Sequence, residues 1–203
     1  MIPLKPNKII GVGRNYRAHA EELGNPMPPE PILFFKPTSS LISDGETIVI
    51  PRLSSNVEME AEIGLVILER VRDISPETAE RLPLGFTCVN DVTARDLQKA
   101  DGQWARAKGF DTFCPAGPVV AVGLDWRTLE VIGRLNGREV QRARSADMAF
   151  PIPFIISHIS RVMTLEPGDL IATGTPAGTS RLSPGDIVEV EVPGVGVLRN
   201  PVG

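Results

Sequence analysis

The sequence predicts an α+β fold that is mostly β and has few short helices. Short runs rich in Val and Ile recur along the chain, and tight-turn residues separate them, with Gly and Pro numbering 19 each. The helical patterns are few and scattered, and they do not alternate with the strands as they would in a doubly wound sheet. A chain of 203 residues is expected to form one compact domain.

The first half of the chain predicts two short helices and four strands. The first helix covers residues 14–24, with Asn15 as its N-cap and Gly24 as its C-cap. The second helix covers residues 75–82, and Ser75 caps it. The predicted strands are residues 8–13, 32–37, 47–50 and 57–69.

The second half predicts more strands, a hairpin and one amphipathic helix. A helical stretch follows Asp96 and breaks near Gly102. Asn136-Gly137 supplies the two positive-φ positions of a type I′ hairpin turn. Residues 153–163 have apolar positions at helical spacing. The predicted strands are residues 84–92, 117–123, 170–173, 187–192 and 195–198.

Three glutamates occupy alternate positions of the predicted strand 57–69, in the run V-E-M-E-A-E-I-G-L-V-I-L. Glu58, Glu60 and Glu62 therefore share one face, with neighbouring Cα atoms about 6.6 Å apart. A solvated edge strand, in which charges discourage aggregation, is one interpretation. The apolar run that follows favours a central strand, buried on both faces. Buried carboxylates need a neutralising cation, so the pattern indicates a divalent metal site.

Composition and charge exclude several classes of partner. The formal net charge is −4 and no basic run occurs, so neither nucleic acid nor an anionic membrane is expected as a partner. No apolar stretch approaches the roughly 20 residues of a membrane span, and the N-terminus lacks the apolar region of a signal peptide. Cys88 and Cys114 lie in apolar contexts without metal-binding spacing. We expect reduced cysteines and a cytoplasmic protein.

Two acidic patterns could extend the metal site or perform chemistry. Asp91 and Asp96 lie in N-D-V-T-A-R-D, where Asp91 ends a predicted strand. A third carboxylate would suit the oxygen ligands of Mg²⁺ or Mn²⁺, although an Asp at a strand end also serves as a turn or helix cap. His19 has Glu22 at i+3 on the same helix face. This pair either activates a water molecule or is an ordinary surface pair.

Other candidate residues could bind anionic groups. Lys36 in F-F-K-P and Lys108 in A-R-A-K-G-F have apolar or small neighbours. Each is either a partly buried lysine that pairs with an anion or a surface lysine. The Gly-rich turn over residues 173–178 could hold an anion with its amides, or could be a plain connection.

The motifs together resemble the fumarylacetoacetate hydrolase family over nearly the whole chain. They are G-V-G-R-N-Y-R-A-H-A-E-E-L-G, F-F-K-P, E-A-E-I-G-L-V-I, G-F-T-C-V-N-D-V-T-A-R-D-L-Q, A-K-G-F-D-T-F-C-P-A-G-P, L-N-G and L-E-P-G-D-L-I-A-T-G-T-P-A-G. The resemblance implies a mixed β-roll and a homodimer. It also implies an N-terminal segment (1–40) with a mobile lid helix, ahead of the catalytic domain (41–203).

The resemblance also implies a site. One Mg²⁺ or Mn²⁺ per subunit would be held by the E-x-E pair and the acid of N-D-x-[ST]-A-R-D, and His19 with Glu22 would activate water. The metal ligands would be Glu60, Glu62 and Asp91; the catalytic residues His19, Glu22 and Lys108; the substrate-binding residues Arg14, Tyr16, Lys36, Gln98 and Thr175.

The family acts on small 2-oxo acids, so the resemblance implies a substrate of this class and a metal-stabilised enolate. The outcome would be hydrolysis of a C–C bond or decarboxylation. Isomerisation of 2-hydroxyhepta-2,4-diene-1,7-dioate in aromatic catabolism, or a non-catalytic metal-binding scaffold, are the alternatives. Many relatives have His-Tyr before E-x-E, whereas this chain has Glu58-Met59. Glu58 is therefore either an outer acid or an additional ligand.

Overall fold

The structure is a computed structural model, and it describes residues 4–203. Strands dominate and the five α-helices are short, which confirms the predicted α+β, mostly β class. The strands are β1 Ile9–Gly13, β2 Ile32–Lys36, β3 Leu41–Ile42, β4 Val57–Met59, β5 Ala61–Ile67, β6 Leu84–Asn90, β7 Thr93–Ala94, β8 Cys114–Val122, β9 Glu130–Leu135, β10 Arg138–Arg144, β11 Leu170–Ala172, β12 Ser180–Arg181, β13 Ile187–Val192 and β14 Gly196–Pro201. The helices are α1 Arg17–Glu22, α2 Pro76–Ala79, α3 Arg95–Asp101, α4 Ala105–Lys108 and α5 Ile152–Val162.

A seven-stranded mixed sheet forms the centre of the fold, in the order β2-β1-β11-β5-β6-β8-β3. β1 runs parallel to β11 and β3 parallel to β8, and the other neighbours are antiparallel. All seven residues of β5 and all seven of β6 are buried. The acidic strand is therefore central, as its apolar run predicts, and not an edge strand.

Two smaller sheets and one helix complete the core. The sheet β10-β9-β13-β14 packs on the seven-stranded sheet through β13 and β14, and a sheet of order β12-β4-β7 lies beside the start of β5. α5 buries Ile152, Ile155, Ile156 and Ile159, each worth about 1.5–3 kcal/mol of apolar burial. Within the described part of the chain, no helix is both long enough and apolar enough to span a bilayer.

The N-terminal helix differs from its prediction. It covers Arg17–Glu22, not residues 14–24, because Arg14 adopts a left-handed φ of 55° and breaks the helical path. Asn15 does not cap it. The Asn15 side chain is buried, donates to the carbonyl of Thr173 at 2.8 Å and accepts from the amide of Phe150 at 2.8 Å. Gly24, with φ of 66°, follows the helix end as predicted for a terminating glycine.

Two strand predictions also need correction. Residues 47–50 form no strand but a single parallel bridge, between Ile48 and Val202, in which Ile48 N–H donates to the carbonyl of Pro201 and Gly203 N–H donates to the carbonyl of Ile48, both at 2.8 Å. The acidic strand 57–69 is interrupted at Glu60, where the chain passes from the three-stranded to the seven-stranded sheet. The amide of Glu60 donates to the Asn90 side chain at 3.0 Å and so leaves the regular ladder.

The N-terminal segment is part of the central sheet. β1 lies between β2 and β11, so residues on both sides of position 40 share one sheet. The mobility of α1 stays a prediction.

Candidate metal centre and cavity

Three carboxylates converge where β5 and β6 meet. Antiparallel pairing of Ala61 with Asn90 brings Glu60 and Glu62 next to Asp91, which directly follows β6. One carboxylate oxygen from each acid lies within 4.8 Å of the others. All three residues are at most 4% exposed. We call Glu60, Glu62 and Asp91 the acidic triad.

Three basic side chains surround the acidic triad. Lys108 Nζ lies 2.7 Å from Glu60 and 2.5 Å from Asp91. Lys36 Nζ, which is fully buried, lies 2.6 Å from the second oxygen of Asp91 and donates to the carbonyl of Lys108 at 2.6 Å. Arg95 Nη2 donates to Glu60 at 2.5 Å. Charge-assisted bonds of this kind hold the carboxylates in fixed orientations.

The triad carboxylates differ in their protonation. Burial alone would raise the pKa of Glu60, but the ammonium of Lys108 and the guanidinium of Arg95 outweigh it and hold that pKa well below its usual range. Burial and the neighbouring charges of Asp91 and Glu60 raise the pKa of Glu62 well above its usual range. The charge of Lys108 and the amide of Gly174 act in the opposite direction but do not outweigh these effects.

The composition of this cluster suits a hard divalent cation. The triad offers only oxygen ligands, as Mg²⁺ and Mn²⁺ prefer, and no His or Cys belongs to it. With all four carboxylates counted as ionised, as metal binding requires of the ligands, Glu58 and the triad carry four negative charges, against three positive charges on Lys36, Arg95 and Lys108. One negative charge remains, and a divalent cation would reverse it to one positive charge. The residues present therefore fit the metal.

Glu58 does not belong to the triad. Its carboxylate accepts from Arg95 Nε at 2.9 Å and from the Asn56 side chain at 2.9 Å. Arg95 lies between Glu58 and Glu60 and donates to both, so Glu58 reaches the triad only through Arg95. Asp96 is also outside the site: burial raises its pKa, but hydrogen bonds from Ser54 and Ser55 together outweigh burial and lower that pKa to about 2.

The triad opens into a cavity of about 310 Å³. Of the predicted catalytic and substrate-binding residues, those in its wall are His19, Lys108, Arg14, Gln98 and Thr175. Gln98 accepts from Arg95 Nη1 at 2.6 Å through its amide oxygen, which leaves its NH₂ group as a donor. Lys36 and Tyr16 do not line the cavity. Lys36 instead pairs with Asp91, and Tyr16 is buried with a pKa that burial and the charge of Glu62 raise.

His19 and Glu22 form the predicted pair, in which His19 lines the cavity and Glu22 does not. His19 is 5% exposed, and its Nδ1 lies 3.4 Å from a carboxylate oxygen of Glu22. Glu22 accepts from the amide of Gly178 at 3.1 Å with each oxygen. His19 is therefore a buried member of the cavity wall and not a surface residue, and Glu22 is anchored to the Gly-rich turn.

The Gly-rich turn, residues 173–178, contacts both the triad and the His19–Glu22 pair. The amide of Gly174 donates to Glu62 at 2.7 Å. Gly174 has a φ of 102°, and a Cβ there would lie 2.7 Å from the Asn15 side chain, so glycine is required. Thr175 donates its hydroxyl proton to the carbonyl of Ala61 at 3.0 Å.

Two residues of the site have no prediction from the sequence. Arg95 lies inside the motif T-A-R-D, four residues after Asp91. A basic residue at this spacing from a candidate metal ligand is the signal that could identify it. Gln141 has no such signal, since it lies on a strand 80 residues from its partner. Its amide accepts from Ala61 N–H at 2.9 Å and donates at 2.8 Å to both Thr175 Oγ1 and the carbonyl of Pro176.

Known proteins share this fold and sequence. The mitochondrial oxaloacetate tautomerase FAHD1 of Arabidopsis thaliana is 42% identical over 95% of this chain and 89% of its own. The mitochondrial oxaloacetate decarboxylase of Dictyostelium discoideum is 41% identical, over 93% of this chain and 89% of its own. The crystal structure of 2-hydroxyhepta-2,4-diene-1,7-dioate isomerase from Mycobacterium marinum has a TM-score of 0.90 at 42% identity, over 98% of this chain and 75% of its own. The family model described as fumarylacetoacetate (FAA) hydrolase C-terminal matches residues 8–203. The chain therefore belongs to the fumarylacetoacetate hydrolase family.

Proposed function

We propose that the protein is a Mg²⁺- or Mn²⁺-dependent enzyme that breaks a C–C bond of small 2-oxo acids, by decarboxylation or hydrolysis. The observation that carries the proposal is the acidic triad, buried at one side of a cavity that His19 and Lys108 also line. Oxaloacetate, the substrate in the names of the Arabidopsis and Dictyostelium relatives, is a 2-oxo acid.

Glu60, Glu62 and Asp91 would hold the cation, which when bound supplies Lewis-acid polarisation of a substrate carbonyl. The charge balance favours an anionic substrate. With all four carboxylates ionised the cluster carries one excess negative charge, and a bound divalent cation changes this to one excess positive charge, so an acid substrate is attracted to the loaded site.

Basic and amide groups of the chain would bind the substrate oxygens. Lys108 pairs with Glu60 and Asp91 and adds positive charge near the 2-oxo oxygen, where negative charge develops as the C–C bond breaks. Gln98 presents its amide NH₂ group as a donor, because Arg95 occupies its oxygen. Arg14, in the cavity wall, is available for a second carboxylate.

His19 would move the proton. Glu22 holds the imidazole through Nδ1, which leaves Nε2 for proton transfer to or from water or the substrate carbon. The amide of Gly178 fixes Glu22 in turn. This arrangement supports general acid–base catalysis, which both hydrolysis and decarboxylation followed by protonation require.

Isomerisation is a second candidate, and the Mycobacterium marinum isomerase supports it. Isomerisation of a 2-hydroxy-diene acid and tautomerisation of oxaloacetate both move a proton next to the 2-oxo group without breaking a C–C bond. The same polarised carbonyl and the same His19 would serve these reactions. The site therefore supports chemistry next to the 2-oxo group of an acid and does not by itself select one product.

Turnover measurements test the proposal. Purified protein with Mg²⁺, with Mn²⁺ and after chelation is assayed on oxaloacetate, an acylpyruvate and 2-hydroxyhepta-2,4-diene-1,7-dioate, and products are identified by NMR. We expect metal-dependent C–C cleavage of at least one 2-oxo acid. Metal binding without turnover of any of them would instead support a non-catalytic scaffold. Light scattering of the same preparation tests the homodimer, which we retain as part of the proposal.

A further inference from the structure

Two large aromatic side chains line the cavity beside its charged groups. Phe34 and Trp104 are both only partly buried. Their ring centroids lie 5.3 Å apart in an edge-to-face arrangement with an interplanar angle of 66°. We call this pair the aromatic wall. Ligand cavities place apolar surface of this kind where the ligand has an apolar part.

Strand β1 fixes the aromatic wall because it has glycine at two alternate positions. A Cβ at Gly11 would lie 2.0 Å from the Phe34 ring, and a Cβ at Gly13 would lie 2.5 Å from the Trp104 ring. Both rings therefore pack directly on the backbone of β1, which no larger residue would allow. Phe34 belongs to β2 of the central sheet, and Trp104, which directly precedes α4, packs on β1.

The aromatic wall lies next to Lys108, which contacts the triad. Lys108 Nζ contacts Asp91 at 2.5 Å and lies 5.1 Å from the centroid of the Phe34 ring. The centroid of the Trp104 ring lies 5.3 Å from that of Phe34. A 2-oxo acid whose oxygens face the triad would therefore reach Phe34 and Trp104 with its substituent and not with its 2-oxo end.

We propose that Phe34 and Trp104 determine specificity, selecting 2-oxo acids whose substituent beyond the 2-oxo group is planar and apolar. This inference rests on the proposed function, because it assumes that the 2-oxo end occupies the triad. A conjugated chain or an aromatic ring gains stacking on the wall in addition to apolar burial, about tenfold in affinity. Oxaloacetate, which ends in a second carboxylate, gains neither.

Two basic residues in the same cavity favour a different substituent. Arg14 and Lys99 have no carboxylate partner within residues 4–203, and both line the cavity. A terminal carboxylate could pair with them. Lys99 is exposed and Arg14 only partly buried, so solvent weakens such a pair, whereas the rings of the wall are held against β1. The aromatic wall is therefore the stronger determinant.

Binding of matched 2-oxo acids tests the inference without relying on turnover. Calorimetric titrations of the Mn²⁺-loaded protein compare pyruvate with phenylpyruvate, which adds a ring, and with 2-oxoglutarate, which adds a carboxylate. We expect phenylpyruvate to bind about tenfold more tightly than pyruvate, and 2-oxoglutarate to gain less. In Trp104→Leu the phenylpyruvate preference should disappear while the dissociation constants of pyruvate and Mn²⁺ stay unchanged.

Two further variants complete the test. Trp104→Phe keeps an aromatic ring and should retain part of the preference. Trp126→Phe is the matched control, because Trp126 lies outside the cavity and its Nε1 has no hydrogen-bond partner in the described chain. Equal binding of pyruvate and phenylpyruvate to the unaltered protein overturns the role of the aromatic wall but leaves the proposed function standing. A preference for 2-oxoglutarate over phenylpyruvate has the same consequence. Failure of pyruvate to bind overturns the proposed function as well.

Discussion

The guanidinium of Arg95 donates a hydrogen bond of 2.9 Å from Nε to the carboxylate of Glu58. Its other two nitrogens donate to the triad member Glu60 at 2.5 Å and to Gln98 at 2.6 Å. One planar group thus joins an outer acid to a candidate metal ligand and to a cavity residue. The guanidinium is planar and rigid, so the bond from Nε to Glu58 helps to fix the orientation in which Nη2 donates to Glu60.

Glu58→Ala should weaken Mn²⁺ binding about tenfold, the lower end of the usual effect of an outer partner of a metal ligand. Arg95 would lose its anchor, and Glu60 would lose orientation. Glu58→Gln keeps an acceptor oxygen and should lose less. Calorimetric titration of Mn²⁺ measures both, with Glu69→Ala as an exposed control on the same segment. Unchanged affinity in Glu58→Ala would show that Arg95 holds Glu60 without help.

Asp91→Asn should abolish metal-dependent activity while the fold survives. The variant keeps the side-chain volume but removes the charge that Lys36 and Lys108 neutralise, so two buried ammonium groups lose their shared partner. Circular dichroism checks the fold, and titration with Mg²⁺ measures binding. A titration identical to that of the unaltered protein would remove Asp91 from the set of ligands.

Local patterns predict the triad well because they depend on short-range geometry. Alternation on a strand places Glu60 with Glu62, and an acid at the end of a buried strand indicates Asp91. The structure brings these three together, although the chain changes sheets at Glu60. The break itself is not predictable from alternation, since it depends on a hydrogen bond to Asn90, 30 residues away.

Residues whose role depends on distant partners escape prediction. The sequence context of Lys36 suits a lysine that binds an anion, and the structure supplies that anion from within, as Asp91. Gln141 has an ordinary place on a predicted hairpin, yet it joins β5 to the Gly-rich turn. Only the packing of β9 against β5, with β10 paired to β9, brings it there, and no local pattern encodes that packing.

His19→Ala should lower turnover about 10²–10⁴-fold, the usual contribution of a general acid or base, and leave metal affinity intact. Glu22→Gln should have a smaller effect in the same direction, because it acts by orienting His19. The double variant should be no slower than His19→Ala alone, as expected for residues that act as a unit. Steady-state kinetics and Mn²⁺ titration measure these effects. If the losses of turnover in the two single variants instead add up in the double variant, His19 and Glu22 act independently.

The stability gain from metal should increase with pH. In the metal-free protein the raised pKa of Glu62 stabilises the fold fully below the unfolded value of 4.5, and this contribution is lost as pH rises through the folded pKa. The cation replaces the proton on Glu62, so its affinity rises as pH rises. The lowered pKa of Glu60 changes the stability only below pH 4.5, so it does not affect the pH dependence at higher pH.

Thermal unfolding between about pH 5 and 8, with Mg²⁺ and with chelator, measures this difference. The melting temperature without metal should fall across the range and the gain on adding Mg²⁺ should grow. Glu62→Gln, which cannot ionise, is the control and should remove the pH dependence of the metal-free protein. A gain that is constant with pH would contradict proton displacement from Glu62.

Gln141→Leu should destabilise the protein by about 3 kcal/mol, because it leaves the buried amide of Ala61 and the carbonyl of Pro176 without their partner. Activity should fall as well, since the Gly-rich turn would lose the link through Gln141 and keep only its direct bonds to β5. Gln141→Glu keeps the acceptor for Ala61 but removes both donated bonds, so it should restore only part of the stability. Urea unfolding measures the free energy of unfolding of the unaltered protein and of the two Gln141 variants. Arg142→Gln, at the neighbouring exposed position, is the control and should change this free energy little. Equal stability of Gln141→Leu and Arg142→Gln would show that the turn is held by other contacts.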